Sequence, residues 1–167
     1  RRHIFLGRWM KHGVYPVKLL RLFRHGAARC EQRHMDEHME LSRGRAVEFE
    51  HDFVDENLNG LGWWAHKHVD YSARELADLE DILSSAAADS GINGQAERKR
   101  AMKERYARQP LFWRSFAYFC YRYFLKLGFL DGREGFLWHF MQGWWYRTLV
   151  DARQFEKQKK GSGKTAR

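Results

Sequence analysis

The segment His34-Met-Asp-Glu-His-Met-Glu-Leu41 sets two adjacent carboxylates, Asp36 and Glu37, between two histidines. Gly44–His51 follows, and then the acidic run Asp55-Glu-Asn57. A carboxylate crowded by other acids has its pKa raised and can take a proton as a general base. The chemistry this suits is activation of a hydroxyl group for attack, with Glu37 as first choice of base and Asp36 as second. The same residues also fit His-x-x-Glu-His, in which two histidines hold zinc and the Glu activates water. No third ligand is identifiable, and Gly44 with the strand-like run after it leaves little helix for that arrangement, so a general base is the preferred reading.

A second cluster is Trp63-Trp-Ala-His-Lys-His68. In a helix, Trp64, Lys67 and His68 share one face, because residues three and four apart are neighbours. Lys67 and His68 could meet a phosphate while the ring stacks on a sugar or base. Equally, the ring could be core with a solvated Lys and His beside it. Gly161-Ser-Gly-Lys-Thr165 has the look of the end of a phosphate-binding loop. Gln158 stands where its first glycine is required, however, and no strand precedes it.

Charge is unevenly spread over the 167 residues, which carry a net +9. Lys and Arg stand against Asp and Glu as 9 to 1 in residues 1–33, 4 to 15 in residues 34–97, and 17 to 5 in residues 98–167. An acidic middle between two basic ends suits a metal or hydroxyl site flanked by surfaces that attract phosphate or anionic lipid. Two distant cysteines, Cys30 and Cys120, argue against a disulfide framework or a thiolate metal site. The chain is long enough for one domain with a real core. It begins Arg-Arg-His without an initiator Met or a signal-peptide pattern, so a fragment of a longer protein is expected.

The elements that must position these residues follow from periodicity. Val17–Arg24 alternates loosely, after a break at Pro16 and before a turn at His25-Gly26, and reads as a strand. Met35–Leu41 suits a strand or a short helix. Arg45–Glu50 alternates as a half-buried strand, joined to the previous element through Ser42-Arg-Gly44. From Asp55 the spacing turns helical through Leu58, Leu61, Trp64, Val69, Leu76, Leu79 and Leu83. Ser72 with Glu75 forms a capping-box pattern that predicts a helix start near residue 73. The Ala86–Gly91 stretch ends that helix, residues 90–96 are a polar loop, and Glu97–Arg108 is a charged helix. Pro110 sits where the next helix could begin.

Leu111–Leu127 is strongly apolar but interrupted by Arg114, Arg122 and Lys126, so it lacks the roughly 20 mainly apolar residues of a membrane span. With a turn at Gly128–Gly132 and a second aromatic helix over Gly135–Val150, it predicts an antiparallel aromatic hairpin. Aromatic residues are 16% of the chain. Interleaved with Lys and Arg, they suit both core packing and a helix lying in a membrane interface. The tail from Gln154 is expected to be disordered.

Taken in order, Gly7–Gly13, Leu20–Arg24, Met35–His38, Asp55–Asn57, Trp64–His68 with Tyr71-Ser72, and Gly128–Phe136 resemble bacterial family 2 glycosyltransferases. The resemblance is to the C-terminal half of those that build lipopolysaccharide cores and exopolysaccharides, over roughly residues 3–150. It implies an inverting sugar transfer on a GT-A fold. A nucleotide-sugar donor and a divalent metal, Mg or Mn, would be held by an N-terminal half carrying Asp-x-Asp. This chain has no Asp-x-Asp and no Gly-rich strand–turn–helix. The donor half is therefore expected to lie outside it, the metal with it, and the chain alone is expected to be inactive. By the resemblance, Glu37 or Asp36 deprotonates the acceptor hydroxyl, and His34 and His38 tune that acid or hold the acceptor. Trp64, Lys67 and His68 are further substrate contacts, Lys67 and His68 lying near the donor diphosphate, with Arg21 and Arg24 of lower rank.

The expected fold class is α+β and predominantly α. A few N-terminal strands, remnant of a GT-A sheet, precede a helical C-terminal part with the aromatic hairpin. Residues 1–90 form the acceptor-side part, 91–153 a helical extension and 154–167 the basic tail. The partners expected are a nucleotide-sugar donor and a glycan or lipid-linked acceptor, with peripheral membrane contact through Leu111–Val150 and no nucleic acid. The location expected is cytoplasmic, peripheral on the inner membrane. The alternative function is a non-enzymatic basic aromatic module that binds anionic membrane or nucleic acid.

Overall fold

The structure, a computed structural model, describes residues 1–32, 34–35, 39–85 and 95–165. It is a mixed α+β architecture dominated by helices, with its strands in the N-terminal third. Strand β1 (Arg2–Phe5) pairs antiparallel with β2 (Arg8–Trp9) across a tight turn, and parallel with β5 (Val54–Glu56). Strands β3 (Ala28–Cys30) and β4 (Met39–Leu41) pair antiparallel as a separate two-stranded ribbon, with Ala28 opposite Leu41. Helix α1 (Leu61–Ser85) follows, then α2 (Gln95–Ala107) and α3 (Trp113–Cys120). A π-helical turn (Tyr121–Leu125) and a 3-10 turn (Gly128–Asp131) lead into α4 (Gly132–Trp138), and a second π segment (His139–Trp145) into α5 (Tyr146–Thr165).

Several sequence expectations are corrected here. Val17–Arg24 and Arg45–Glu50 form no strand, although the turn at His25-Gly26 is present. Leu22, Val47 and Phe49 are each at least two-thirds exposed. Alternation makes a strand only where a sheet receives its apolar face. Here Lys18 and Glu48 merely pair across the two irregular segments. Conversely, the acidic Val54–Glu56 is a strand because β1 supplies its ladder.

Ser72 is no helix cap. It lies in the middle of α1, fully buried, donating to the Val69 carbonyl and accepting from Arg153 Nε at 2.6 Å. The inward stripe of α1 is Trp64, Ser72, Glu75, Asp78, Leu79 and Ile82. Half of it is polar, so hydrophobicity alone does not reveal it. Nor is the segment after Gln154 disordered, since α5 continues through Thr165. That places Gly161–Thr165 in a helix, which leaves no phosphate-binding loop there.

Two apolar clusters form the core. One gathers Phe5, Met10, Trp64 and Trp138, the other Leu79, Ala107, Tyr146 and Val150, and Trp145 packs against both. The aromatic hairpin is built as expected. Its rings meet antiparallel, with Phe112 near Phe155, Phe116 near Trp144 at 5.1 Å and Tyr123 near Phe136 at 5.8 Å.

Buried charge joins the helices. Asp151 of α5 accepts from Arg114 Nε at 2.7 Å and caps the N-terminus of α3 by accepting from the Phe112 N–H at 2.8 Å. Arg114 completes its bonds on the Ala107 carbonyl and Gln154. Both charged side chains are 1% exposed. Removing one partner of such a pair leaves an uncompensated charge, at a cost of about 3–5 kcal/mol. Asp151→Ala should therefore lower the urea-unfolding free energy by about that amount. Lys157→Ala, which breaks an exposed pair with Glu80, should hardly change it.

Candidate functional site

Asp36, Glu37 and His38 lie outside the described residues; what is described is their surroundings. They fall in the connection between β3 and β4, directly before Met39. Arg29 of β3 donates to Glu40 of β4 at 3.0 Å across the ribbon. His34, in the same connection, brings Nε2 to within 3.2 Å of Asp81 on α1. His34, which precedes the acid pair, contacts Asp81 of α1, and Met39, which follows it, opens β4. His34 is already engaged with a carboxylate, which is a use other than metal ligation.

Trp64, Lys67 and His68 are not presented together on an open face. Trp64 is 6% exposed and packs among Phe5, Trp138 and Trp145. His68 stacks on it with ring centres 3.5 Å apart, and its Nδ1 lies 2.8 Å from the Trp64 carbonyl. Burial lowers the His68 pKa, so at neutral pH it is a neutral ring that donates from Nδ1. Lys67 lies over the rings of Trp63 and Tyr71 at 4.8 and 5.3 Å. The expectation that left core packing open for Trp64 resolves to packing, and Lys67 belongs to the outer side of α1. Arg21 and Arg24 are both exposed.

The structure also brings together residues that sequence reasoning did not. The loop Gly7–Gly13 and the turn Gly128–Gly135 interlock over His139. Asp131, 2% exposed, accepts from the His12 backbone N–H at 2.8 Å and lies 2.7 Å from His12 Nδ1. His139, fully buried, fills the space between Gly13 and Gly128. A Cβ at Gly13 would come within 2.4 Å of the His139 ring, and one at Gly128 within 2.3 Å. Glycine is required at both positions by this close approach, and at Gly13 also by its φ of +78°.

Beside His139 lies Arg122, 5% exposed, on the first π turn, while His139 opens the second; the two π segments pack against each other. π turns are rare and recur at functional sites. A cavity of about 230 Å³ sits here, lined among others by Arg1, His3, Tyr15, Tyr118, Arg122 and Trp138. In the sequence this centre showed only as the separate Gly7–Gly13 and Gly128–Phe136 segments and as Arg122, a charge interrupting an apolar run, with nothing to join them.

Among the described residues, no three His, Cys, Asp or Glu side chains converge as a metal ion would need. The described residues therefore do not fit a divalent metal, and no chemical step is routed through one here. Comparison with known proteins returned no matching family model, no matching curated protein and no matching solved structure.

Burial first and the Arg122 charge second, against the opposing pull of Asp131 and the His12 backbone, push the His139 pKa down to about 4. The unfolded chain, with an ordinary histidine pKa of about 6.5, binds the proton more tightly than the native state does. Stability from this group is full above the unfolded value and is lost as pH falls from about 6.5 to about 4, by on the order of 3 kcal/mol. His3 and His68, lowered mainly by burial, add to the same slope. Urea unfolding across this range should show the decline, and His139→Gln should flatten it; an equal slope in both proteins would refute the assignment.

Proposed function

We propose that the chain is the acceptor-side half of an inverting, family 2-like glycosyltransferase that moves a sugar from a nucleotide-sugar donor to a glycan or lipid-linked acceptor. Glu37, or failing that Asp36, takes the acceptor hydroxyl's proton. The resulting oxygen attacks the anomeric carbon from the face opposite the leaving group. As the new C–O bond forms, the bond to the nucleoside diphosphate breaks and the configuration inverts. An alcohol is a poor nucleophile, and a positioned base removing its proton during attack contributes roughly 10²–10⁴-fold. The donor and its metal would be held by an Asp-x-Asp-bearing half outside this chain.

The observation that carries the reading is the meeting of two motifs from the ordered set. Gly7–Gly13 and Gly128–Phe136 lie about 120 positions apart, yet they lock together through His12 and Asp131. Two segments singled out by the resemblance that also share one packed centre are what a single scaffold would bring together. Support also comes from the residues that flank the acid pair in sequence, since His34 contacts Asp81 of α1 and Met39 opens β4. Glu37→Gln in the full-length protein should abolish sugar transfer to the acceptor while donor binding is kept. Transfer at the unmodified rate would refute the assignment of the base.

The enzyme is proposed to work at the cytoplasmic face of a membrane. No helix among the described residues is long and apolar enough to cross one. Around the hairpin turn, however, Phe124, Leu125, Leu127, Phe129 and Leu130 are each between 44% and 75% exposed. Lys126 and Arg133 flank them, both exposed. An apolar tip ringed by cations suits the headgroup region of an anionic bilayer. The protein should float with vesicles containing phosphatidylglycerol, and Leu125→Glu with Leu130→Glu should remove most of that fraction. Wild-type protein staying in the aqueous layer would sink the membrane reading.

A further inference from the structure

The cavity beside His139 is unusual in its charge. Two arginines and a histidine are among its lining residues, and no carboxylate is. Arg1 is compensated by Asp55 at 3.0 Å. Arg122 has no carboxylate against it: its Nε and Nη2 are buried and have no hydrogen-bond partner, and the neutral Tyr118 phenol is what supports its charge. A further donor on the cavity lining, Trp138 Nε1, is likewise buried and unpartnered. Buried polar groups are nearly always hydrogen-bonded, and a buried guanidinium without a counter-charge is costly. Three such donor atoms beside one cavity are what a bound anion would satisfy.

Arginine's planar fork matches the oxygens of a phosphoryl group and binds them in pairs. A volume of about 230 Å³ exceeds the space of several water molecules, so a phosphoryl group fits with the first atoms of its ester. Tyr15, 39% exposed, and Arg1, one-third exposed, form the outer side, while Arg122 forms the floor. We propose that this cavity binds the phosphate of an organic phosphate ester or diphosphate, with the Arg122 guanidinium as its principal contact and Trp138 as an additional donor. The inference stands apart from the sugar-transfer reading, because it does not involve Glu37 or Asp36.

The test is calorimetric titration and thermal unfolding of the chain at low salt, with four probes: inorganic phosphate, a nucleoside diphosphate, dihexanoyl phosphatidic acid and acetate. Phosphate should bind saturably and raise Tm, and one of the two esters should bind more tightly than phosphate itself. Tighter nucleoside diphosphate assigns the site to a nucleotide; tighter phosphatidic acid assigns it to a lipid headgroup. Arg122→Met should weaken binding roughly tenfold or more, the usual worth of a charge-assisted pair. Without anion its Tm should be equal to or above wild type, because an unpaired buried cation has gone. A purely structural Arg122 would show the opposite change in Tm. Should Arg122→Met fail to fold, Arg122→Lys keeps the charge but not the fork, and must still weaken binding several-fold. The proposal is overturned by no saturable binding of phosphate or of either ester, by undiminished binding in the variants, or by acetate binding as tightly as phosphate. Glu37→Gln should leave every one of these readouts unchanged, so the two proposals fail separately.

Discussion

Glu75 holds the helical part together. Its carboxylate is 1% exposed, and it meets Arg147 of α5 at 2.9 Å and Lys103 of α2 at 3.1 Å. Burial alone would raise its pKa, but the two cations outweigh that and hold it below the usual carboxylate range. Asp78, one turn on, shares Lys103 at 2.7 Å, and Ser72, one turn back, receives Arg153. Three helices that share the apolar cluster of Leu79, Ala107, Tyr146 and Val150 are thus also registered by charge. Such pairs give less net stability than well-packed hydrophobic residues would, but they admit few alternative registers, since any slip strands a buried charge. The Arg114–Asp151 pair does the same at the start of the aromatic hairpin.

From this frame the rest follows. With α5 fixed against α1, the long helical run from Gly132 to Thr165 holds His139 at a set height, and the N-terminal loop closes over it at Gly13. The hairpin turn closes from the other side at Gly128. Neither glycine tolerates a side chain, so the approach of these two segments is decided by the size of one imidazole. The π turns at Tyr121–Leu125 and His139–Trp145 insert an extra residue each into the helical path. In doing so they carry Arg122 and His139 into the interior, where an undisturbed helix would continue its existing stripe.

The proposed chemistry and the anion cavity occupy different parts of the chain. The acid pair lies in sequence between β3 and β4, and the cavity at the meeting of β1 with the aromatic helices. This separation follows the charge partition of the sequence, acidic in the middle and basic at both ends. A hydroxyl substrate suits the acidic portion, and a phosphorylated group suits the site where the two basic ends come together. The apolar hairpin tip is continuous in sequence with the cavity through Arg122 and Phe124. Membrane contact and phosphate recognition would therefore share one element.

The sequence by itself determined the class of fold, the aromatic hairpin and the charged α2, because these rest on local composition and on periods that a helix imposes within its own length. It did not determine the strands. Val17–Arg24 and Arg45–Glu50 alternate but have no sheet to join, whereas Val54–Glu56, which hardly alternates, is paired because β1 is there. It also misread Ser72 as a cap, since a buried polar stripe is recognisable only once Arg147, Arg153 and Lys103 are seen to satisfy it. The centre around His139, Arg122 and Asp131 was decided by tertiary structure alone. Its residues come from opposite ends of the chain, and a burial that depends on contacts over 100 residues apart leaves no periodic trace.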